Sequence, residues 1–153
     1  MYNVVFFLHI LGVLVFVSGI VVAGVAFESA RRRQDPAEVA TLLGLSRVGV
    51  LLVAVGTVLA GAFGLWLVHL GNWHYGSFWV DASVVLFVLT LALGGIGGQR
   101  PKRARMLASR LAAEHAPMST ELRGMLDDRA MLAQNYVSLL LVLAIIAVMC
   151  FKP

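Results

Sequence analysis

Residues Met1–Phe27, MYNVVFFLHILGVLVFVSGIVVAGVAF, contain no Asp, Glu, Lys or Arg. At the helical rise of 1.5 Å per residue, roughly 20 apolar residues cross the hydrocarbon core of a bilayer. The stretch is therefore long enough to span, and the reading of the whole chain starts there. No basic region precedes it, it exceeds a typical signal core, and the basic cluster Arg31-Arg32-Arg33 follows it. That order predicts an uncleaved first helix with its N-terminus outside. Inside it sits His9, and a titratable side chain within a span is a functional candidate because hydrocarbon burial is costly.

Outward from this block, the chain shows three more apolar segments, so the expected spans are about 3–27, 48–70, 78–98 and 132–151. The predicted fold class is an all-α, four-transmembrane-helix bundle, one integral membrane domain over 1–153. Composition agrees: 60% of the 153 residues are hydrophobic and 13% charged, too few polar groups to coat a water-soluble fold. The net charge of +4 does not point to nucleic acid, because the basic residues fall between the spans. Arg31, Arg32, Arg33 and Arg47 separate the first two blocks. Arg100, Lys102, Arg103, Arg105, Arg110, Arg123 and Arg129 separate the last two, and Lys152 alone lies elsewhere. The positive-inside rule then predicts an N-out/C-out multi-pass protein of the bacterial inner membrane, its basic loops facing anionic inner-leaflet headgroups. A single cysteine, Cys150, excludes an intrachain disulfide and a CxxC metal pair.

The loops carry helix signals. Asp35-Pro36-Ala37-Glu38 reads as an N-cap, a proline at the first helical position and an acid at N3, opening a helix that runs into the second span. Arg100–Leu111, with apolar Met106, Leu107 and Leu111, reads as an amphipathic helix lying along the inner leaflet, or else as a solvated basic helix. Ala116-Pro117 ends it, and Ser119 or Thr120 is expected to cap a last helix that becomes the fourth span. Gly71–Ser77 reads as a short outer turn with interfacial Trp73 and Tyr75.

Within lipid, helices associate where small residues let backbones approach. His9, Gly12, Phe16, Gly19, Ala23 and Ala26 form one such stripe. Gly56, Ala60 and Gly64 form a second. Ser83, Phe87, Thr90, Gly94 and Gly97 form a third, and Asn135, Ser138, Val142, Ile145 and Met149 a fourth. His9 thus tops an inward face. As chemistry it is either a haem or metal ligand or proton acceptor, or a neutral imidazole bonded to a neighbouring helix. His69 and His74 share its end of the bundle, and a three-histidine site is conceivable. On a helical wheel, however, His69 lies opposite the Gly56–Gly64 seam, with Trp66. Asp81, in the first turn of the third helix, is either a dipole-stabilised anion or a carboxylate orienting His9. There is no GxGxxG, P-loop, GxSxG or HExxH, so no catalytic residue can be named.

Phe7-Leu8-His9-Ile10-Leu11-Gly12, followed by Phe16-Val17-Ser18-Gly19, resembles a common opening of small bacterial four-helix membrane proteins. In those, a Leu-His pair precedes a Trp-x-x-Gly or Trp-x-Gly-Gly turn. In length and layout the chain is similar to a domain-of-unknown-function family of predicted integral membrane proteins. More distantly it resembles the membrane protein of copper resistance (the D component) and the haem-dependent protoporphyrinogen oxidase. The oxidase likeness implies His9, and no other position, as a haem b ligand; if haem binds, His69 and His74 are weaker candidates for the second axial position, and a partner chain or dimer mate is another. Phe16 stands where those families often have Trp, and no span here holds the lysine that the oxidase uses, which counts against that activity. The functional expectation is a haem b-binding redox or redox-accessory protein using His9. The alternatives are a non-catalytic structural or assembly subunit of a membrane complex, homo-oligomeric or larger, and a small transporter.

Overall fold

The computed structural model describes residues 1–71, 77–97 and 99–151. Among them are six helices and no strand: α1 (Tyr2–Arg31), α2 (Pro36–Leu70), α3 (Phe78–Gly97), α4 (Gln99–Ala113), α5 (Thr120–Leu126) and α6 (Arg129–Phe151). Three are long and apolar enough to cross a membrane, over Tyr2–Arg31, Pro36–Leu70 and Phe78–Gly95. In α6 the apolar stretch Tyr136–Phe151 is shorter. The fold class is all-α, as the apolar blocks predict. Large apolar side chains point outward along these helices, Phe7, Leu51 and Val58 each more than 60% exposed, an arrangement suited to lipid rather than water.

The helix starts follow their local chemistry. Asp35 Oδ1 accepts from Ala37 N at 3.1 Å, Pro36 takes the first helical position, and α2 begins there. The α4 helix closes in a Schellman turn: Ala116 N donates to Leu111 O, His115 N donates to Ala112 O, and His115 takes a φ of 51°. Pro117 then blocks continuation. Ser119 Oγ accepts from Leu122 N, as the capping signal predicts. The helix it opens does not become the last span. It ends at Leu126, and Asp128 Oδ1 accepts from Ala130 N to start α6 separately. The break lets Leu122 and Leu126 turn into a compact core that continuation would carry away.

That core lies at the basic end of α1 and α2. Phe27 and Ala30 of α1, Val39 and Leu43 of α2, Ala104 and Ala108 of α4, and Leu122 and Leu126 of α5 are all buried together. The amphipathic face of α4 therefore packs on α2, with Leu107 and Leu111 against the same core. Neither the leaflet-lying nor the fully solvated helix is what forms. An apolar stripe is satisfied equally by lipid or by another helix, and here α2 extends far enough to supply one. Met106 remains 59% exposed. Arg123 Nη1 donates to Arg31 O at 2.9 Å and Arg33 O at 3.2 Å, closing the C-terminus of α1 with a cation. Asp127 joins Arg31 and Arg123 in one ion-pair group.

Along the spans, α1 and α2 make the most extensive contact in the molecule, while α3 and α6 form a second, lighter pair. The hairpin is zipped by glycine. A Cβ at Gly12 would lie 2.5 Å from Ala60 N, at Gly19 2.6 Å from Gly49 O, and at Gly56 2.3 Å from Phe16 N. Each is closer than real side chains come to backbone. The two pairs meet where the Phe16 and Phe87 rings stack at a tilt, 6.1 Å between centroids, with Gly61 beneath the Phe87 edge.

Candidate functional site

His9 lies where its stripe places it, 8% exposed in the α1–α2 seam. Its Nδ1 is 2.9 Å from Ala60 O. A carbonyl only accepts, so Nδ1 carries the proton and donates. Gly64 lies against the ring: a Cβ there would sit 3.0 Å from His9 Cε1 and 3.1 Å from Nδ1. His69 is exposed, as its wheel position predicts, and so is not gathered with His9. His74 lies outside the described residues. Asp81 is exposed in the first turn of α3, where the helix dipole favours an anion. Among the described residues no group of three His, Cys, Asp or Glu is placed to hold a metal ion.

The bond to Ala60 O engages Nδ1 and leaves Nε2 as the ring nitrogen not used by it. Beside the ring the seam is tight, with Gly12 against the backbone of Ala60 and Gly64 against His9 itself. A large cavity begins about two turns deeper than His9, at Phe16. No second ligand faces His9 among the described histidines.

That cavity, about 1250 Å³, opens between the α1–α2 hairpin and the α3–α6 pair. Its volume exceeds the ~300–1,000 Å³ of sites for compact small molecules. Apolar walls come from Ile20 and Val21 of α1, Val50, Val53 and Ala54 of α2, and Leu139 of α6. On the α3 side Gly94 and Gly95 line it, and a Cβ on either meets nothing within 4 Å. The third stripe places Gly94 at a packing seam; instead it leaves the space open. Thr57 lines the wall, and its Oγ1 is buried without a hydrogen-bond partner among the described residues. Across the cavity Gln134 Nε2 donates to Leu93 O, tying α6 to α3.

One end of the cavity is charged. Glu28, Arg32, Arg47, Lys102 and Arg105 line it there, four cations against one carboxylate. Arg32 is taken by Glu28, with Nε and Nη2 at 3.1 and 3.0 Å from Oε1. The sequence marks Arg47 as a topology residue and sets Lys102 and Arg105 in the basic stretch Arg100–Leu111, but it does not single out Thr57, Gln134 or Gly95. No signal in the sequence separates a lining arginine from one neutralised by a neighbouring acid.

A family model described as predicted integral membrane protein (DUF2269) matches residues 3–153. The chain belongs to the DUF2269 family. Membrane insertion of its apolar helices follows. No curated protein and no solved structure matches the chain. The likenesses to the copper resistance protein and to the oxidase therefore rest on the first-helix motif alone.

Proposed function

We propose that the chain crosses the bacterial inner membrane four times, both termini outside, and holds a membrane amphiphile in the cavity between its two helix pairs. The observation that carries this reading is the cavity's graded lining: apolar along its length and cationic at one end. Phe16 precedes Phe27 by 11 residues and Thr57 follows Arg47 by 10, so the apolar part runs roughly 15 Å along the helices. That is about half of a ~30 Å hydrocarbon core. With the basic end cytoplasmic, as the arginine distribution supports, the cavity matches one inner-leaflet chain with its headgroup at the Arg47 level. On this reading the protein binds, shelters or presents a lipid.

A structural or assembly role is the second reading, favoured by one observation: His9 is committed to Ala60 O and serves as a pin between α1 and α2. The two roles differ in what must be bound. The test fills the cavity. Gly94→Leu and Gly95→Leu each add a side chain where the backbone leaves room. The full-length protein released from phosphatidylcholine nanodiscs into a native mass spectrum is expected to retain a lipid. Both variants are expected to lose it while melting like the parent protein. Equal retention by parent and variants would leave only the structural role. Orientation is checked separately: with Cys150→Ala, a Ser109→Cys thiol is expected to react only from the cytoplasmic side.

A further inference from the structure

We infer that the amphiphile carries a phosphate-monoester headgroup, held at the basic end of the cavity by Arg47, Lys102 and Arg105. This rests on the reading of the cavity as an amphiphile site. The inference starts from which cations are already satisfied. Arg31, Arg32, Arg33, Arg110 and Arg123 each face a carboxylate within 4 Å. Arg47, Lys102 and Arg105 have no carboxylate partner among the described residues, and all three line the same cavity end. Lys102 and Arg105 are one turn apart on α4 and so share a face, which α4's packing on α2 brings beside Arg47.

Three cations without a carboxylate partner among the described residues stand at one end of an apolar cavity, Arg47 and Lys102 exposed and Arg105 half-buried, and together they favour an anion there. A headgroup with one charge balances only one of the three. A phosphate monoester carries a charge of about −1.5 to −2 at neutral pH and presents three strong acceptor oxygens. Two guanidinium forks and one ammonium suit those oxygens, since Arg pairs with phosphate through two parallel hydrogen bonds and Lys acts as a point charge. A fatty-acid carboxylate has fewer oxygens and one charge. A zwitterionic headgroup brings its own cation into a cationic mouth. The apolar length of the cavity then requires that the phosphate be attached to a hydrocarbon chain.

The experiment titrates the full-length protein in neutral detergent with phosphatidate, phosphatidylcholine and oleate, reading lipid-bound fractions by native mass spectrometry. Phosphatidate is expected to bind at least tenfold more tightly than either of the others. Matched double variants locate the charge. Arg47→Gln with Arg105→Gln is expected to weaken phosphatidate on the order of 25-fold, from about a factor of five per cation. Arg103→Gln with Arg129→Gln removes two cations that do not line the cavity and is expected to change it less than twofold. Equal loss in both double variants would overturn the site, as would oleate or phosphatidylcholine binding as tightly as phosphatidate. Glycerol 3-phosphate competing as well as the lipid would put a free anion there instead. Failure of the cavity reading itself has a different signature: Gly94→Leu leaving every lipid bound as before.

Discussion

The α1–α2 hairpin and the α3–α6 pair are built from the same apolar residue types, yet a methyl group means opposite things in them. Added at Gly56 it would lie 2.3 Å from the backbone nitrogen of Phe16; added at Gly94 it meets nothing within 4 Å. In lipid, apolar burial gives no preference for a neighbouring helix over a lipid tail, so association depends on close backbone approach and polar contacts. The hairpin has both: Gly12, Gly19, Gly49 and Gly56 in backbone contact, and His9 bonded to Ala60 O. The second pair has less of either. Its buried hydroxyls, Ser83 and Thr90, turn back to their own helix at Trp79 O and Leu86 O, while Gln134 Nε2 donates to Leu93 O between α6 and α3. A rigid wall thus faces a looser one, and the cavity is the space between them.

The largest expected effect comes from breaking the hairpin. Gly56→Leu places a branched side chain into Phe16 backbone, where no flexible group can yield. Overpacking in a tight core costs about 1–3 kcal/mol or more, and backbone contact puts this case at the upper end. Folded protein in detergent is expected to fall sharply, scored by size-exclusion recovery and thermal melting. A Gly56→Leu protein that melts like the parent would show that the hairpin is not the rigid wall.

A smaller effect is expected from removing the polar pin. His9→Ala deletes the hydrogen bond to Ala60 O, and interhelical hydrogen bonds in membranes contribute about 0.6 kcal/mol on average, up to about 1.7. The expected loss is about 1 kcal/mol in detergent unfolding, with lipid retention unchanged because His9 does not line the cavity. A Soret band in the purified parent protein that disappears in His9→Ala would instead return His9 to haem ligation.

Much of the hairpin is legible in the sequence because the information is local. A stripe of His9, Gly12, Phe16, Gly19, Ala23 and Ala26 at steps of three and four must share a face, and all but the half-buried Ala23 are buried. The seam Gly56, Ala60 and Gly64 is equally local, with Gly64 half-buried against His9, and so is the cap at Asp35. The site is less legible, for a physical reason. Gly94 has the same sequence signature as Gly56, and only the partner across the gap decides whether a glycine closes a seam or opens a space. Likewise Arg31 and Arg47 both lie in the first basic loop, but Arg31 meets Asp127, 96 positions away, and Arg47 does not meet an acid among the described residues. The amphipathic face of α4 is readable; its choice of α2 over the leaflet is not, since both satisfy the same pattern.

The smallest effect tests the comparison where it predicts almost nothing. Gly94→Ala adds one methyl group to a helix interior with no neighbour to displace. Glycine in a helix interior is disfavoured relative to alanine by up to about 1 kcal/mol, so the substitution is expected to leave stability unchanged or raise it by less than that. The same exchange at Gly56 is expected to destabilise, because the added carbon meets Phe16 whatever the helix propensity. Measuring both by detergent unfolding separates propensity, which is common to the two sites, from packing, which is not. If Gly94→Ala destabilised as much as Gly56→Ala, α3 would have to approach a neighbour as closely as α1 approaches α2, and no room for a lipid chain would remain between the pairs.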